Sequence, residues 1–576
     1  MIDIYYQRAL THLRELASEF AQSHPALGSM LSGPGTDPDV ERLLEGTAFL
    51  SGLIDQKLED EFPEVVHGLM QLIFPHYLRP IPSSTIIKFT PKLSLLEHFK
   101  IPAGTQINSI PIEDTPCTFT TTYDVDLYPL VISAVTYTQH VGNTATLKID
   151  MQLKGIQLKD WDISSLRFHL VGSVGQAADR YHILMKKTRS VAVASESGIV
   201  TMLGSDCIRE VGYADDESLL PYPSQSLPGY RILQEYFILP EKFLFFDITG
   251  LERWTQRGTS DNFSFIFEFD ELSSTSLKFS EKDICLFAAP AINLFAHEAD
   301  PIILNHKKPE YRIIPSNKNS DNFQVYSVDK VVGFAQGSVD GREYMPFHMF
   351  NLQVTNSPIY NVHYRRSSIH NLVDIFLSIA YSSTNENIKR ETLSIALTCS
   401  NSNLPTKLRY GDICKATATS PELATFENIR QPTAPVQPPL GRDVLWRLLS
   451  HLYINYLSLA DIDSLRAMAK LYIFSDTPDK SSVVANSKRV DAITDINISE
   501  KDRIVRGLLM RGREINLAVN RDGFASEGDL FLFCSVLNRL FAGYSSINSF
   551  TQLKVEEVVS KETYIWKAMI GDRPLM

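Results

Sequence analysis

The feature that most constrains the fold is the stretch Asp37–Ser83, which reads DPDVERLLEGTAFLSGLIDQKLEDEFPEVVHGLMQLIFPHYLRPIPS. Asp37 and Pro38 combine a side-chain cap with the residue best suited to a first helical turn. Apolar residues then recur at three- and four-residue steps, which predicts an amphipathic helix. Phe62-Pro63 predicts a break and a second helix, because proline inside a helix removes a hydrogen bond. The prolines at the end of the stretch predict an extended exit.

A further amphipathic helix is predicted upstream, over Ile4–Ser23. The N-terminal unit is therefore expected to contain three helices. Their apolar faces supply our candidate partner-interface residues, which are Leu13, Leu16, Phe20, Leu43, Leu50 and Ile54. An amphipathic face is equally compatible with packing inside the chain, so both readings stay open at this point.

From Ser84 onward, short runs rich in β-branched and aromatic residues predict strands. Ile101–Gln106, IPAGTQ, predicts a strand, a turn with positive φ at Gly104, and a second strand. A strand is also expected at Ile183–Met185, and a turn at Arg511-Gly512. Asp443–Leu459 predicts a helix that is apolar almost all round and therefore buried.

The predicted class is α+β, with an N-terminal helical unit, β-rich middle domains and a C-terminal mixed α/β domain. The expected boundaries are an N-terminal helical unit at 1–83, a first β-rich domain at 84–204, a second β-rich region with long partner-facing loops at 205–430, a proline-rich linker at 431–439, and a C-terminal α+β domain at 440–576. The linker carries the clearest boundary signal, because QPTAPVQPP favours an extended, semi-rigid chain.

Composition narrows the function classes. A net charge of −12 argues against nucleic acid and anionic membrane surfaces, because both need a basic face. No apolar run approaches the ~20 residues of a membrane span, and the N-terminus lacks the pattern of a signal peptide. The six cysteines are widely separated, which indicates free thiols in a reducing compartment. We expect a cytoplasmic protein.

The sequence contains no nucleotide-binding glycine loop, zinc-protease helix or nucleophile elbow. His297, Glu298 and Asp300 are explained more simply as a polar turn than as metal ligands. We therefore predict no catalytic residues, no cofactor and no metal, and a protein that is not an enzyme. Two alternatives stay open: a β-rich hydrolase whose site residues converge only in the fold, and a stand-alone ligand-binding module.

Several phrases resemble the TssF family (also called VasA or ImpG), which is a subunit family of the type VI secretion baseplate. The phrases occur in family order and are DPDVERLLEG at 37–46, LEDEFPE at 58–64, PHYLRPIPS at 75–83, YRILQEYFILPEKFLFF at 230–246, PAINLF at 290–295, VYSVDKV at 325–331 and YSSINSF at 544–550. The IPAGT phrase with Phe119-Thr120-Thr121 is similar to baseplate wedge proteins of contractile phages.

The resemblance implies a structural role. Family members form a wedge with TssG, TssK and further TssF copies, and their helices join a shared core bundle. The wedges surround the VgrG spike, with TssE, and form the platform from which the Hcp tube and contractile sheath assemble. The implied location is cytoplasmic, associated with the inner membrane through the baseplate and membrane complex.

Overall fold

The computed structural model divides the chain into two compact units. The described residues are 2–24, 38–140, 144–196, 198–222, 228–270, 278–317, 320–335, 340–347, 358–367, 372–380, 390–440, 461–474, 479–505 and 508–571. One unit, here called the helical unit, comprises Met1–Ile73 with Pro439–Leu449; the other, here called the body, comprises Phe74–Pro438 with Ser450–Met576. The predicted helix Asp443–Leu459 lies outside the described residues.

The helical unit is built on two long helices, α1 (Ile2–Ser23) and α2 (Pro38–Ile73). They run antiparallel, since Arg14 pairs with Glu41 at 2.7 Å and Tyr6 lies beside Gly52. A Cβ on residue 52 would lie 3.0 Å from the Tyr6 backbone nitrogen, so the absence of a side chain permits this close crossing.

The prediction of a break at Phe62-Pro63 is wrong, because α2 continues through it to Ile73. A proline inside a helix costs roughly 3 kcal/mol through its lost hydrogen bond. In a 36-residue helix the many remaining backbone hydrogen bonds offset that local cost, because propagation is cooperative once the helix is nucleated. The helical unit therefore has two long helices, and not three, within the described part of the chain.

Among the described residues, the body contains five further helices and all thirty strands. The helices are α3 (Val174–His182), α4 (Pro228–Ile238), α5 (Ile462–Leu471), α6 (Lys480–Asp491) and α7 (Glu527–Ala542). The strands of the first half are β1 (Ser84–Pro91), β2 (Phe99–Ile101), β3 (Gln106–Asn108), β4 (Thr118–Thr121), β5 (Val125–Leu127), β6 (Leu130–Gln139), β7 (Ala145–Leu153), β8 (Ser165–Leu170), β9 (Thr188–Ser195), β10 (Val200–Met202), β11 (Ile208–Glu210), β12 (Phe245–Thr249) and β13 (Asn262–Phe269). The remaining strands are β14 (Ile284–Leu286), β15 (Ala288–Ile292), β16 (Phe295–Glu298), β17 (Ile302–Leu304), β18 (Glu310–Arg312), β19 (Gln324–Ala335), β20 (Gly341–Pro346), β21 (Ile359–Arg366), β22 (Val373–Ala380), β23 (Glu391–Ser400), β24 (Lys415–Ala416), β25 (Ala424–Asn428), β26 (Ile493–Val505), β27 (Leu508–Val519), β28 (Ser549–Glu557), β29 (Thr563–Ile565) and β30 (Met569–Ile570). The predicted α+β class is confirmed.

The six-stranded sheet of the body has the order β24-β3-β4-β15-β1-β25. Strand β1 lies next to the edge strand β25 and pairs antiparallel with β15 and β25, whose residues are distant in sequence. The IPAGTQ prediction is confirmed, because β2 and β3 flank Gly104 at a φ of 89°. The β1–β25 pairing extends into the proline-rich segment, where Ile81 and Val436 exchange backbone hydrogen bonds of 2.8 and 2.9 Å.

Two smaller sheets meet in an aromatic core. Their orders are β10-β9-β13-β7-β6 and β11-β12-β8-β14, and β2 pairs separately with β5. Alternate residues of β13 are buried, and the Phe265 ring packs edge-on against Phe168 of β8 at 5.9 Å. The strand predicted at Ile183–Met185 is wrong: these residues form a π-helical turn that extends α3 and leads into β9.

A larger sheet spans residues 295–400, with the order β16-β23-β19-β20-β21-β22-β18 and β17 beside β23. Its buried apolar cluster includes Val331, Leu377, Leu393 and Ile395.

The C-terminal sheet has the order β26-β27-β28-β29, with β30 beside β28 and α7 packed against β28. The turn predicted at Arg511-Gly512 is wrong, because both residues lie inside β27. Twelve residue pairs link β26 to β27, so pairing along the whole hairpin overrides the local turn signal of the glycine.

Candidate partner interface

The six predicted interface residues divide by exposure in the helical unit. Leu43, Leu50 and Ile54 on α2 are 72%, 62% and 60% exposed. Leu16 and Phe20 on α1 are about half exposed, and Leu13 is half-buried. Five of the six side chains therefore remain available to solvent, although each is large and apolar.

The three predicted residues of α2 lie on one side of the helix. Ala48 and Gly52 are buried and face the crossing with α1. Leu43, Leu50 and Ile54 are separated by seven and four residues, so they line up along the other side. Three further large apolar residues of α2 that were not among the predicted ones are also exposed, namely Phe49, Leu53 and Leu69, and they flank this line. Their helical spacing was visible in the sequence, but nothing there indicates which side of an apolar helix stays uncovered.

The exposed apolar side chains of the two helices, here together called the apolar face of α1 and α2, are suited to protein–protein contact. Contiguous exposed apolar patches on soluble proteins mark interaction surfaces, whereas single exposed residues do not. Full burial of one leucine side chain contributes about 1.5–3 kcal/mol. An amphipathic helix in a groove or bundle is anchored by residues at this spacing.

The YRILQEYFILPEKFLFF phrase forms a buried charged cluster in the body. Glu235 on α4 and Lys242 after it are fully buried and paired with each other. The Glu235 carboxylate also accepts hydrogen bonds from the backbone N–H groups of Leu219 and Leu220, at 2.7 and 3.0 Å. Burial lowers the pKa of Lys242, and Glu235 opposes that effect. Because these groups are enclosed and hold a loop, the cluster is structural.

The same helix fixes the segment before Leu219. Arg231 on α4 is 3% exposed and donates hydrogen bonds to the backbone oxygens of Tyr213, Ala214 and Asp215. The sequence predicted a long partner-facing loop here. In the structure, backbone groups of residues 213–215, 219 and 220 form hydrogen bonds with the buried side chains of Arg231 and Glu235. It stays a prediction that this loop faces a partner.

The PHYLRPIPS phrase joins several parts of the body. The Tyr77 hydroxyl donates to the Leu471 carbonyl at 2.9 Å, and the Arg79 guanidinium lies 5.3 Å from the Tyr326 ring centroid. His76 is buried, with Nε2 3.3 Å from the Tyr222 hydroxyl. The phrase predicted as an extended exit begins with a short 3-10 turn at Pro75–Leu78 and then extends.

Groups that could carry chemistry are placed as follows. Five cysteines are buried and Cys414 is exposed, and burial raises the pKa of the Cys117 and Cys207 thiols to about 11. Among the described residues, no group of three His, Cys, Asp or Glu side chains is arranged to hold a metal ion. No helix in this part of the chain is long and apolar enough to cross a membrane.

Comparison with known proteins identifies the family. The model of the family "Type VI secretion system, TssF" matches residues 2–573. The type VI secretion system component TssF1 of Pseudomonas aeruginosa is 30% identical, with 99% of this chain and 98% of that protein covered.

Two solved structures have the same fold. A chain of the TssK-TssF-TssG baseplate subcomplex, determined by cryo-electron microscopy, superposes with a TM-score of 0.79 at 28% identity, covering 93% of this chain and 99% of that one. A chain of the type VI secretion baseplate complex superposes with a TM-score of 0.63 at 24% identity over the full length of both, which supports the fold alone. Since the family model and the curated relative both span nearly the whole chain, the protein belongs to the TssF family of the type VI secretion system.

Proposed function

We propose that this protein is a structural subunit of a type VI secretion baseplate and that it binds TssG- and TssK-type subunits. Membership of the TssF family supports the baseplate role. The solved TssK-TssF-TssG subcomplex contains a chain with the same fold at 28% identity, which supports these two partner types. The chain acts by binding and positioning other proteins and not as an enzyme.

The observation that carries the proposal is the apolar face on α1 and α2. We assign Leu16, Phe20, Leu43, Leu50 and Ile54 to a helix bundle shared with the TssG-type partner, with Leu13 at its border. Leu43, Leu50 and Ile54 are each at least 60% exposed, so a partner helix would remove most of their apolar surface from water. The spacing of these residues favours a helical occupant.

The wider assembly follows from the same family assignment. Further copies of this chain, the VgrG spike, TssE, the Hcp tube and the contractile sheath are the remaining proposed neighbours. The protein is proposed to act on the cytoplasmic side of the inner membrane, held there by the baseplate and the membrane complex.

The test is a matched pair of substitutions in the chain co-expressed with its TssG-type partner. Leu50→Asp places a charge in the proposed interface, whereas Ile303→Asp makes the same change on β17, where Ile303 is 65% exposed. Both variants should keep the wild-type melting temperature, because exposed positions tolerate substitution within about 0.5 kcal/mol.

We expect Leu50→Asp to reduce co-purification of the TssG-type subunit by at least about tenfold, since a loss of 1.4 kcal/mol already has that effect. Ile303→Asp should leave co-purification unchanged. Equal recovery of the partner with both variants would show that the apolar face of α2 is not the interface.

A further inference from the structure

The hairpin formed by β26 and β27 extends past the rest of its sheet. Strand β28 pairs with β27 only from Arg511 onward, so the pairs Arg503–Met510 and Ile504–Leu509 lie beyond the third strand. Within the described residues, the outer edge of β26 also carries no further strand. The end of the hairpin, residues 501–504 and 509–513, is here called the hairpin tip.

The tip exposes two large apolar side chains side by side. Ile504 and Leu509 are directly opposite each other across the ladder, and each is 73% exposed. Directly opposed side chains in an antiparallel pair lie on the same face of the hairpin. An exposed apolar pair on an open strand edge favours aggregation unless another protein covers it. The exposed pair Ile504 and Leu509 therefore indicates a binding site for another protein.

The base of the tip packs against the third strand of its sheet. The ring of Phe550 on β28 lies over Gly512, where a Cβ would overlap it. The Arg503 guanidinium sits 5.9 Å from the centroid of the same ring. Arg511 pairs with Asp502 across the ladder at 3.7 Å. These contacts pack the base of the tip, next to Ile504 and Leu509, against β28.

The charge of the tip indicates the chemistry of the occupant. The tip has four basic residues (Lys501, Arg503, Arg511 and Arg513) and one acid, Asp502, and two further carboxylates border it, Glu500 opposite Arg513 and Glu514 beside Lys501. It is therefore net basic in a chain whose net charge is −12. Complementary charge is the usual arrangement across protein interfaces. Asp502 lies beside Arg511, and Glu514 beside Lys501, so carboxylates alternate with the cations. That alternation suits discrete carboxylates on a protein better than a uniformly anionic lipid surface.

We propose that the hairpin tip docks into an apolar groove bordered by Asp and Glu side chains on a different protein of the secretion apparatus. Ile504 and Leu509 enter the groove, and Arg503 and Arg511 contact its acidic border. This surface is separate in residues and charge from the apolar face of α1 and α2. It is a second binding site on the same chain.

The test uses a photo-cross-linking amino acid at position 509 of the full chain, in cells that assemble the complete apparatus. Position 93 serves as the matched control, because Leu93 is 86% exposed on a turn of another sheet. Mass spectrometry maps the site of each adduct. Co-purification of the TssG-type subunit from the same cells shows whether the proposed function holds independently of the hairpin result.

We expect position 509, but not position 93, to give an adduct with one protein other than this chain, at an apolar segment flanked by carboxylates. Arg511→Glu should lower the adduct yield at least about fivefold, as expected for loss of a charge pair at an interface. Substituting the mapped carboxylate by Arg should restore the yield in the Arg511→Glu chain.

Four results would overturn the proposal while TssG-type co-purification persists. They are no adduct at position 509, an adduct with a second copy of this chain, an adduct site without acidic residues, and an adduct yield unaffected by Arg511→Glu. Sedimentation of the co-purified complex of this chain and the TssG-type subunit with phosphatidylserine vesicles, abolished by Arg511→Glu, would assign the tip to a membrane and equally contradict the proposal. A melting curve identical to wild type confirms that Arg511→Glu is folded.

Discussion

Replacing Lys242 by Met leaves the carboxylate of Glu235 buried without the cation that contacts it. Both side chains are 0% exposed, so neither charge can recover hydration by a small movement. Removing one partner of a buried ion pair costs about 3–5 kcal/mol, because the remaining charge is uncompensated. We expect this loss to appear first in the loop that Glu235 holds through the amides of Leu219 and Leu220.

The double variant Glu235→Gln with Lys242→Met gives the argument its sharpest test. A glutamine at 235 keeps an oxygen that can accept the Leu219 and Leu220 N–H groups, but it carries no charge. The double variant should therefore be more stable than Lys242→Met alone, by about 2 kcal/mol. Lys407→Met is the matched control, since Lys407 and Glu113 form an exposed pair, with side chains 55% and 56% exposed, and such pairs contribute at most about 1 kcal/mol.

Amide hydrogen exchange at Leu219 and Leu220 measures the effect locally. A loss of 3 kcal/mol corresponds to exchange at least about a hundredfold faster in Lys242→Met, with protection partly regained in the double variant. Urea denaturation followed by circular dichroism checks the global change. Unchanged exchange in Lys242→Met, or a double variant less stable than the single one, would refute the view that an ion pair anchors this loop.

Two further predictions concern helix packing and pH. Gly52→Ala should destabilise the helical unit, because the new Cβ would lie 3.0 Å from the Tyr6 backbone nitrogen. Gly46→Ala should stabilise the unit by up to about 1 kcal/mol, because a Cβ at that position would have no atom within 4 Å. Thermal melts that rank the two variants in the opposite order would contradict the α1–α2 crossing. Burial lowers the pKa of His169 to about 3 and that of His182 to about 4, so protonation favours the unfolded state and stability falls as pH drops below 6.5. At pH 5 the two histidines together should lower the free energy of unfolding by about 4 kcal/mol, and His169→Phe should remove about half of that loss. Urea midpoints with no pH dependence over this range would show that neither histidine is buried in its neutral form.

Local sequence patterns predicted the elements whose cause is local. Proline at position 38 marks the start of α2, and Gly104 adopts the positive φ that its turn requires. The apolar periodicity of α1 and α2 also identified residues that the structure exposes. In each case the deciding interaction lies within a few residues along the chain.

The errors and omissions have a common physical origin in long-range interactions. Strand β1 pairs with β15 and β25, whose sequences contain no signal for a partner some 200 and 340 residues away. Arg511 and Gly512 were predicted as a turn, but β26 and β28 extend the strand through them. Whether an apolar helix face is covered likewise depends on the rest of the fold, and so Leu50 could be proposed as an interface residue but its exposure could not be predicted.

Two of the family phrases acquire a physical meaning in the structure. PHYLRPIPS connects distant parts of the body, through Tyr77 and the backbone pairing of Ile81 with Val436. The YRILQEYFILPEKFLFF phrase supplies Arg231, Glu235 and Lys242, which hold a loop from inside the body. Both phrases therefore stabilise the fold of the body, in keeping with the structural role of the TssF family.

The most direct test of the central claim is the mass of the complex formed when the full chain is co-expressed with its TssG-type partner. Size exclusion with light scattering gives that mass and hence the number of copies of each subunit. We predict one stable complex containing both proteins, and aggregation of this chain when it is expressed alone, because the apolar face of α1 and α2 is then uncovered. A soluble monomer that does not bind the TssG-type protein would contradict the proposed function and would favour the hydrolase and ligand-binding alternatives.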